Sequence, residues 1–273
     1  MGRGPPGDRR ETRRGRTLPP AYDGPMPVEP HATVLRAPAP ATTGPSVPQL
    51  PAAALWDMDG TLVDTEPCWM AAEEGLVREF GGTWGPDAAQ SMVGLALLDS
   101  AAVLAAHGVD LPLPEIVERM LDSVVDAVED GLVWQPGALD LLAALGAAGV
   151  PCALVTMSYG RFADAVLARM PGGAFDVVVT GDRVTLGKPH PEPYLLAADL
   201  LGVDVTRCVA IEDSIPGVGS ALASGARTLA VEHMVALDDH PGMSRADSLV
   251  DVDLAVLARI AAGDVLDLRA PTA

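Results

Sequence analysis

Four short segments of this chain carry side chains suited to acid–base or metal chemistry, and three of them directly follow an apolar run that reads as a strand. The residues are Asp57, Asp59, Thr156, Lys188, Glu212 and Asp213. Functional groups gather at the carboxyl ends of parallel strands, because those ends meet at one edge of the sheet. We therefore expect four carboxylates, one hydroxyl and one ammonium to converge there.

The residue types of this set narrow its chemistry. Closely packed carboxylates repel one another and take up protons unless a cation lies among them. An oxygen-rich set without Cys or His suits a hard cation, and Mg²⁺ prefers a few carboxylates completed by water and substrate phosphate. Aspartate can accept a phosphoryl group covalently, and phosphoryl transfer also needs a metal, a cation and a proton shuttle. The set favours phosphoryl transfer with Mg²⁺ as the cofactor.

Lysine usage supports this interpretation. Lys188 is the one lysine in the sequence, against 17 arginines. A chain that uses Arg almost everywhere else and Lys once indicates a position where a compact point charge matters.

The apolar patterning predicts the elements that must position these groups. It indicates strands at 52–56, 152–155, 175–179, 208–211 and 228–231, and helices at 67–80, 86–107, 114–130, 137–148, 160–170, 191–201 and 215–224. Apolar strands that alternate with helices predict an α/β fold with a Rossmann-like parallel sheet core. The helical stretch after the first strand is too long for a simple crossover, so it is interpreted as an inserted α-helical subdomain.

The same patterning divides the chain into parts. Residues 1–50 hold 11 of the 25 prolines and no periodic apolar pattern, which predicts a disordered Pro/Arg-rich tail. Segments 51–66 and 135–262 form the predicted α/β core, 67–134 the helical insertion, and 263–273 a C-terminal tail.

Composition excludes several classes of protein. The formal net charge of −19 argues against a nucleic-acid binder and against attachment to an anionic membrane surface. No apolar run is long enough to span a bilayer. Three widely spaced cysteines predict neither a disulfide framework nor a zinc site, which favours the reducing cytoplasm. We expect a cytoplasmic monomer.

These motifs together resemble a known family. The segment 57–67, Asp-Met-Asp-Gly-Thr-Leu-Val-Asp-Thr-Glu-Pro, is similar to the first motif of the haloacid dehalogenase (HAD) superfamily of phosphohydrolases. Thr156, Lys188 and the pair Glu212-Asp213 follow in the order and spacing of its other three motifs. The insertion resembles the C1 cap of the phosphatase and β-phosphoglucomutase-like subfamily. The resemblance covers roughly 52–260, and four ordered motifs are a specific signal where one D-x-D-G would be weak.

The resemblance implies catalytic roles for four residues. Asp57 is the nucleophile that becomes phosphorylated, and Asp59 is the general acid/base. Thr156 hydrogen-bonds the transferred phosphoryl group, and Lys188 neutralises charge on the nucleophile and the phosphate. The implied substrate is a small phosphorylated metabolite.

The resemblance also implies the metal ligands. Asp57, the backbone carbonyl of Asp59 and Asp213 bind Mg²⁺, and Glu212 either ligates the ion or holds a metal-bound water. Asp64 or Glu66 is expected to cap the helix that starts at Pro67.

A Mg²⁺-dependent phosphatase is the main hypothesis, and a β-phosphoglucomutase-type mutase is the alternative. Such mutases carry a His twelve residues after the nucleophile, where this chain has Trp69, and a cap Arg three residues after a Gly, where Gly94 is followed by Leu95-Ala96-Leu97. Trp69 either faces the site or is buried within the cap.

Two further classes rank lower. A dehalogenase needs neither Asp59 nor a metal, and a catalytically idle binding module would not retain the whole set. The sequence leaves sugar phosphates, phosphoglycolate and nucleotides open as substrates.

Overall fold

The computed structural model describes residue 1 and residues 33–34, 49–92, 95–170 and 173–270. The strands in these residues are β1 (Thr33–Val34), β2 (Ala54–Trp56), β3 (Cys152–Val155), β4 (Val177–Val179), β5 (Val209–Glu212), β6 (Arg227–Val231) and β7 (Met243–Ala246). The helices are α1 (Glu66–Glu79), α2 (Pro86–Gln90), α3 (Leu97–Ala106), α4 (Leu113–Asp130), α5 (Ala138–Ala147), α6 (Gly160–Leu167), α7 (Glu192–Leu201), α8 (Ile215–Ser224) and α9 (Leu254–Ala262). Short 3₁₀ turns occupy Gly181–Arg183, Val205–Arg207 and Leu249–Asp251.

One sheet holds all the strands of the described residues, in the order β1-β4-β3-β2-β5-β6-β7. Strands β2 to β7 run parallel, and β1 pairs antiparallel with β4 at one edge. Parallel strands covered on both faces are expected to be apolar throughout, and β2, β3 and β5 are buried along their whole length. The predicted α/β class is confirmed.

The two faces of the sheet bury separate hydrophobic clusters. Because side chains alternate along a strand, Ala54 and Trp56 of β2 join one cluster and Leu55 joins the other. The first cluster continues into the inserted helices, and the second packs under Tyr194 of α7. The central strand β2 is therefore fixed from both sides.

The helices α1 to α4 form an insertion between β2 and α5, and α4 is its longest element. The buried residues of α4 recur at helical spacing, among them Ile116, Met120 and Val124, so this face packs against α1 and α3. The backbone segment that leaves the core and the segment that returns to it lie side by side. Asp64 N donates to Val133 O at 2.8 Å, and Gln135 N donates to Leu62 O at 3.0 Å.

The insertion contacts the core through α6. The Arg161 guanidinium lies 2.5 Å from Asp122 Oδ1 and 3.4 Å from Glu118 Oε2 of α4. The ring of Trp69 meets that of Phe162 edge to face, with centroids 5.2 Å apart. A mixture of exposed ion pairs and one buried aromatic contact therefore joins the two parts.

The structure differs from the sequence-based expectation in the insertion. The single helix predicted at 86–107 is wrong: α2 ends at Gln90 and α3 begins at Leu97. Glycine is a poor residue for a helix interior, and Gly94 lies in this break, outside the described residues.

The sequence-based expectation also missed elements at both ends of the chain. β7 and α9 were not predicted, although they lie within the segment assigned to the core. Thr33–Val34 forms a strand inside the predicted disordered tail, and the rest of that tail lies outside the described residues apart from Met1 and residues 49–50. Within the described residues, no helix is both long and apolar enough to cross a membrane.

Candidate active site

The sheet order brings the predicted site residues together. β2 lies between β3 and β5, and each of these strands ends beside a polar group. Asp57 follows β2, Thr156 follows β3, and Glu212 ends β5 with Asp213 directly after it. Lys188 comes from the loop before α7 and reaches the same edge. All of them are buried except Asp59, which is half-buried.

The turn after β2 depends on Gly60. Its φ of +82° is in the left-handed region that favours glycine, and a Cβ there would lie 2.0 Å from Asp213 Oδ2. The hydroxyl of Thr61 donates to Asp213 Oδ1 at 3.1 Å. The absence of a side chain at position 60 therefore allows the turn after β2 to approach Asp213 closely.

Lys188 lies at the centre of a buried cluster. Its Nζ donates to Asp57 Oδ1 at 2.5 Å and to Val155 O at 2.9 Å, and it lies 2.6 Å from Glu212 Oε1. The Tyr194 hydroxyl also donates to Glu212 Oε1, at 2.5 Å. The Lys188 side chain is 2% exposed, so this one ammonium sits between two carboxylates out of contact with water.

Burial and mutual repulsion set the protonation of this cluster. Burial, followed by the Glu212 carboxylate, raises the pKa of Asp57 despite the opposing Lys188 ammonium. Burial and the charges of Asp57 and Glu212 raise the pKa of Asp213 well above its usual value. Burial opposes the charged form of Lys188, but the Asp57 and Glu212 carboxylates outweigh it and raise its pKa. The single positive charge of Lys188 does not offset the negative charges of the carboxylates around it.

Three of these carboxylates could hold a metal ion. Asp57, Glu212 and Asp213 each offer an oxygen, and these atoms all lie within 4.8 Å of one another. The set contains only carboxylate oxygens, which are the ligands that Mg²⁺ accepts. The raised pKa values of Asp57 and Asp213 indicate an excess of negative charge, which a divalent cation would neutralise. The residues present therefore fit such an ion.

Asp59 lies apart from that set and is held by hydrogen bonds from four side chains. The donors are Thr65 Oγ1 at 2.6 Å, Trp69 Nε1 at 3.1 Å, Thr156 Oγ1 at 3.1 Å and Ser158 Oγ at 2.8 Å. Trp69 lies on the insertion, Thr65 directly precedes it, and the other two donors lie after β3. The Asp59 carboxylate therefore joins the core to the insertion.

Sequence reasoning missed several of these partners. Thr156 was expected to bond a phosphoryl group, and in this structure its hydroxyl donates to Asp59. Thr65, Ser158 and Tyr194 received no role, because a hydroxyl on a helix or loop has no distinctive spacing. Trp69 could be singled out from the sequence, because it is the twelfth residue after Asp57. The structure shows that it faces the site.

The expected helix cap is wrong. Neither Asp64 nor Glu66 caps α1, whose N-cap residue is Thr65 without a side-chain capping bond. Asp64 Oδ1 instead lies 3.3 Å from His233 Nε2. Glu66 is buried, and burial followed by the Asp59 and Asp64 charges raises its pKa to about 7.

A cavity separates the core from the insertion. We call its core lining the floor: Asp57, Asp59, Thr156, Lys188 and Asp213. We call its far lining, which comes from the insertion, the roof: Glu73, Ala89, Met92, Leu97, Ser100 and Met120. A charged floor and a mainly apolar roof are suited to a small molecule with one anionic group.

Comparisons with known proteins agree with this geometry. A family model described as haloacid dehalogenase-like hydrolase matches residues 51–225. Hexitol phosphatase A of Escherichia coli is 35% identical over 71% of this chain and 87% of its own length. N-acetylmuramic acid 6-phosphate phosphatase of Pseudomonas aeruginosa is 34% identical over 73% and 90%. The crystal structure of CbbY from Rhodobacter sphaeroides in complex with phosphate superposes with a TM-score of 0.70, at 27% identity over 76% of this chain and 99% of that one.

Proposed function

This chain belongs to the haloacid dehalogenase-like hydrolases and is a phosphoric monoester hydrolase, and we propose that it hydrolyses a small phosphomonoester with Mg²⁺ through a phosphoaspartate on Asp57. The observation that carries this proposal is the buried cluster in which Lys188 Nζ lies 2.5 Å from Asp57 Oδ1 and 2.6 Å from Glu212 Oε1. A phosphomonoester brings the negative charge that such an ammonium and a divalent ion would bind.

Asp57 is the proposed nucleophile. Lys188 donates a hydrogen bond to its Oδ1 and so holds one oxygen of the carboxylate in place. An oxygen of Asp57 attacks phosphorus, the bond from phosphorus to the ester oxygen breaks, and an acyl phosphate forms. Bound Mg²⁺ would be held by Asp57, Asp213 and Glu212, directly or through water, and by the carbonyl of Asp59, and it would neutralise charge on the transferring phosphoryl oxygens.

Asp59 is the proposed general acid and base. It gives its proton to the leaving alkoxide and then takes a proton from the water that cleaves the acyl phosphate, which regenerates Asp57. Its four hydrogen-bond donors fix both carboxylate oxygens. When substrate phosphate enters, we expect Thr156 to exchange its bond to Asp59 for one to a phosphoryl oxygen.

The insertion is proposed to act as a cap. The chain enters and leaves this insertion, residues 67–134, through two adjacent backbone segments. A movement of the insertion relative to the core would be hinged at these two segments. Closure of the roof over the floor would exclude water while the phosphoaspartate forms. We further propose a cytoplasmic monomer that acts on a free metabolite.

A hydrolase is favoured over a mutase by the roof. A mutase must grip a second phosphate, and the sequence between Arg78 and Arg119 contains no Lys or Arg. Of the described residues that line the cavity, Lys188 alone is a Lys or Arg. The cavity is therefore built for one phosphate per substrate.

The proposal is tested by phosphate release from p-nitrophenyl phosphate with and without Mg²⁺. We expect activity that excess EDTA removes and added Mg²⁺ restores, and that Asp57→Asn abolishes. Asp199→Asn, on the exposed side of α7, is the matched control and should retain full activity. Turnover by Asp57→Asn equal to that of the parent chain contradicts the assigned nucleophile, and full rates in EDTA contradict the metal.

A further inference from the structure

Tyr194 is a fully buried residue behind the floor, and the proposed mechanism does not use it. It lies in the first turn of α7, a short distance along the chain from Lys188, and its exposed fraction is 0%. Its ring belongs to the hydrophobic cluster on one face of the sheet, together with Leu55 of β2. A phenylalanine would satisfy this packing, whereas a buried hydroxyl is costly unless it has a hydrogen-bond partner.

The Tyr194 hydroxyl and the Lys188 ammonium meet at one carboxylate oxygen. The hydroxyl donates to Glu212 Oε1 at 2.5 Å, and Lys188 Nζ lies 2.6 Å from the same atom. Glu212 Oε2 accepts longer bonds from Asp213 N at 3.2 Å and from Ser214 Oγ at 3.3 Å. The Glu212 side chain is 0% exposed, so protein groups rather than solvent hold its carboxylate.

The ring of Tyr194 contacts the same ammonium from another side. Lys188 Nζ lies 5.4 Å from the ring centroid, which is within the range of a cation–π interaction. Lys188 Nζ also donates to Asp57 Oδ1, so two carboxylates share this one cation. Tyr194 therefore touches both the cation and one of the two anions that compete for it.

This competition matters for phosphoryl transfer. In the proposed mechanism Lys188 must neutralise charge on Asp57 and on the phosphoryl group, while Glu212 attracts the same ammonium. Ionic contacts are strong in a site that excludes water, because the local dielectric is low. A hydroxyl dipole directed at Glu212 Oε1 offsets part of the charge of that carboxylate, which leaves more of the Lys188 charge for the reacting groups.

We propose that Tyr194 is a positioning residue that directs the Lys188 ammonium toward Asp57 and the phosphoryl group, through its hydroxyl on Glu212 and its ring beside Lys188. This inference rests on the proposed phosphatase function and adds a residue to it. Tyr194 is not among the described residues that line the cavity, so it acts on the reaction through Lys188 and Glu212.

The first test is Tyr194→Phe, which keeps the ring and deletes the hydroxyl. We expect kcat for p-nitrophenyl phosphate at saturating Mg²⁺ to fall about tenfold, since a hydrogen bond to a charged group is lost. In isothermal titration calorimetry Mg²⁺ should bind the variant no more weakly than the parent chain, because the charge of Glu212 is less offset. Loss of kcat together with weaker Mg²⁺ binding would indicate a disturbed site and overturn the inference.

Tyr159→Phe is the matched control. It removes the same atom from a half-buried tyrosine that is not among the described residues lining the cavity. Both kcat and the Mg²⁺ dissociation constant should equal those of the parent chain.

A double-mutant cycle tests whether Tyr194 acts through Glu212. Glu212→Gln removes the charge that competes for Lys188, so Tyr194→Phe should change kcat by less than about twofold in that background. The same loss of kcat in both backgrounds would mean that the hydroxyl acts independently of Glu212, which overturns the inference.

Magnetic resonance observes the ammonium directly. Lys188 is the single lysine of the sequence, so labelling with ¹⁵N-lysine gives one Nζ signal. Tyr194→Phe should shift this signal in the Mg²⁺-loaded protein, and Tyr159→Phe should leave it in place. An Nζ signal that is unchanged in Tyr194→Phe overturns the inference.

The parent chain supplies a test that needs no variant. In the Mg²⁺-loaded protein the Tyr194 hydroxyl proton and the Lys188 Nζ protons should show a nuclear Overhauser cross-peak, because both groups bond Glu212 Oε1. Its absence overturns the inference even where Tyr194→Phe fails to fold. Failure of the proposed function is distinct, because then the parent chain releases no phosphate from p-nitrophenyl phosphate with Mg²⁺.

Discussion

The floor and the roof of the cavity stabilise their buried carboxyl groups in different ways. In the floor, Lys188 joins Asp57 to Glu212, and four donors hold Asp59. In the roof, Glu73 is equally buried, no Lys or Arg lies among the roof residues named above, and burial raises the pKa of Glu73 to about 8. The difference indicates that the floor holds its carboxylates with hydrogen-bond donors and an ammonium, whereas the roof favours the uncharged form of its carboxyl group.

Removal of the floor's ammonium should have the largest effect. Lys188→Met leaves Asp57 and Glu212 buried beside each other without a cation, so we expect kcat for p-nitrophenyl phosphate to fall about 10³-fold. The unfolding free energy should also fall by about 3 kcal/mol, since one partner of a buried pair is lost. Steady-state kinetics and urea unfolding measure the two effects.

Arg78→Met is the control for this prediction. Arg78 is exposed and, within the part of the chain that the structure describes, forms an ion pair with Glu74 on the surface of α1, so both quantities should stay within error. A loss of less than tenfold in Lys188→Met would show that the floor does not depend on its ammonium.

Removal of one Asp59 donor should have an intermediate effect. Trp69→Phe keeps the aromatic packing on Phe162 but deletes the N–H that bonds Asp59. A hydrogen bond to this carboxyl group is worth about 1.5 kcal/mol, so kcat should fall about tenfold with KM little changed.

Trp84→Phe provides the matched control for Trp69→Phe. Trp84 packs edge to face on His107 and is not one of the four donors to Asp59, so the same substitution there should leave kcat for p-nitrophenyl phosphate unchanged. Equal kinetics for the two variants would mean that Trp69 only fills space.

The buried carboxyl group of the roof, Glu73, should affect how the stability of the protein depends on pH. Since the folded-state pKa of Glu73 is raised to about 8, its contribution is fully present below its unfolded value near 4.5 and is lost as pH rises through 8. Glu73→Gln cannot ionise, so at pH 8.5 it should be more stable than the parent chain by a few kcal/mol, and this gain should vanish near pH 4.5.

Thermal unfolding of both proteins across this pH range in excess Mg²⁺ checks the prediction, with exposed Glu74→Gln as the control. A stability difference independent of pH would place the ionisation of Glu73 near that of an ordinary surface carboxyl.

The floor residues could be predicted from the sequence, because short local patterns mark them. Asp57, Thr156 and Asp213 lie within two residues after the ends of apolar runs, and the strand order places those ends side by side. Lys188 stood out as the single lysine.

The roof was less predictable from the sequence, because it depends on packing between helices. Whether Glu73 faces solvent or cavity is decided by how α1 packs against α4. Glu73 is 5% exposed, whereas the side chain of neighbouring Glu74 is 43% exposed. The break between α2 and α3 was missed because the apolar run across 86–107 continues the helical spacing. β7 was missed because Arg245, in its sequence Met-Ser-Arg-Ala, is buried through ion pairs with Glu232 and Asp239.

The most direct test of the floor is to find the phosphoryl group on Asp57. The Mg²⁺-loaded protein is mixed with p-nitrophenyl phosphate, quenched during turnover and reduced with borohydride, which converts an acyl phosphate to an alcohol. Peptide mapping should then find homoserine in place of Asp57 and unmodified Asp59, with no conversion when substrate is omitted. Homoserine at position 59, or at neither aspartate during steady turnover, would contradict a phosphoryl transfer through Asp57.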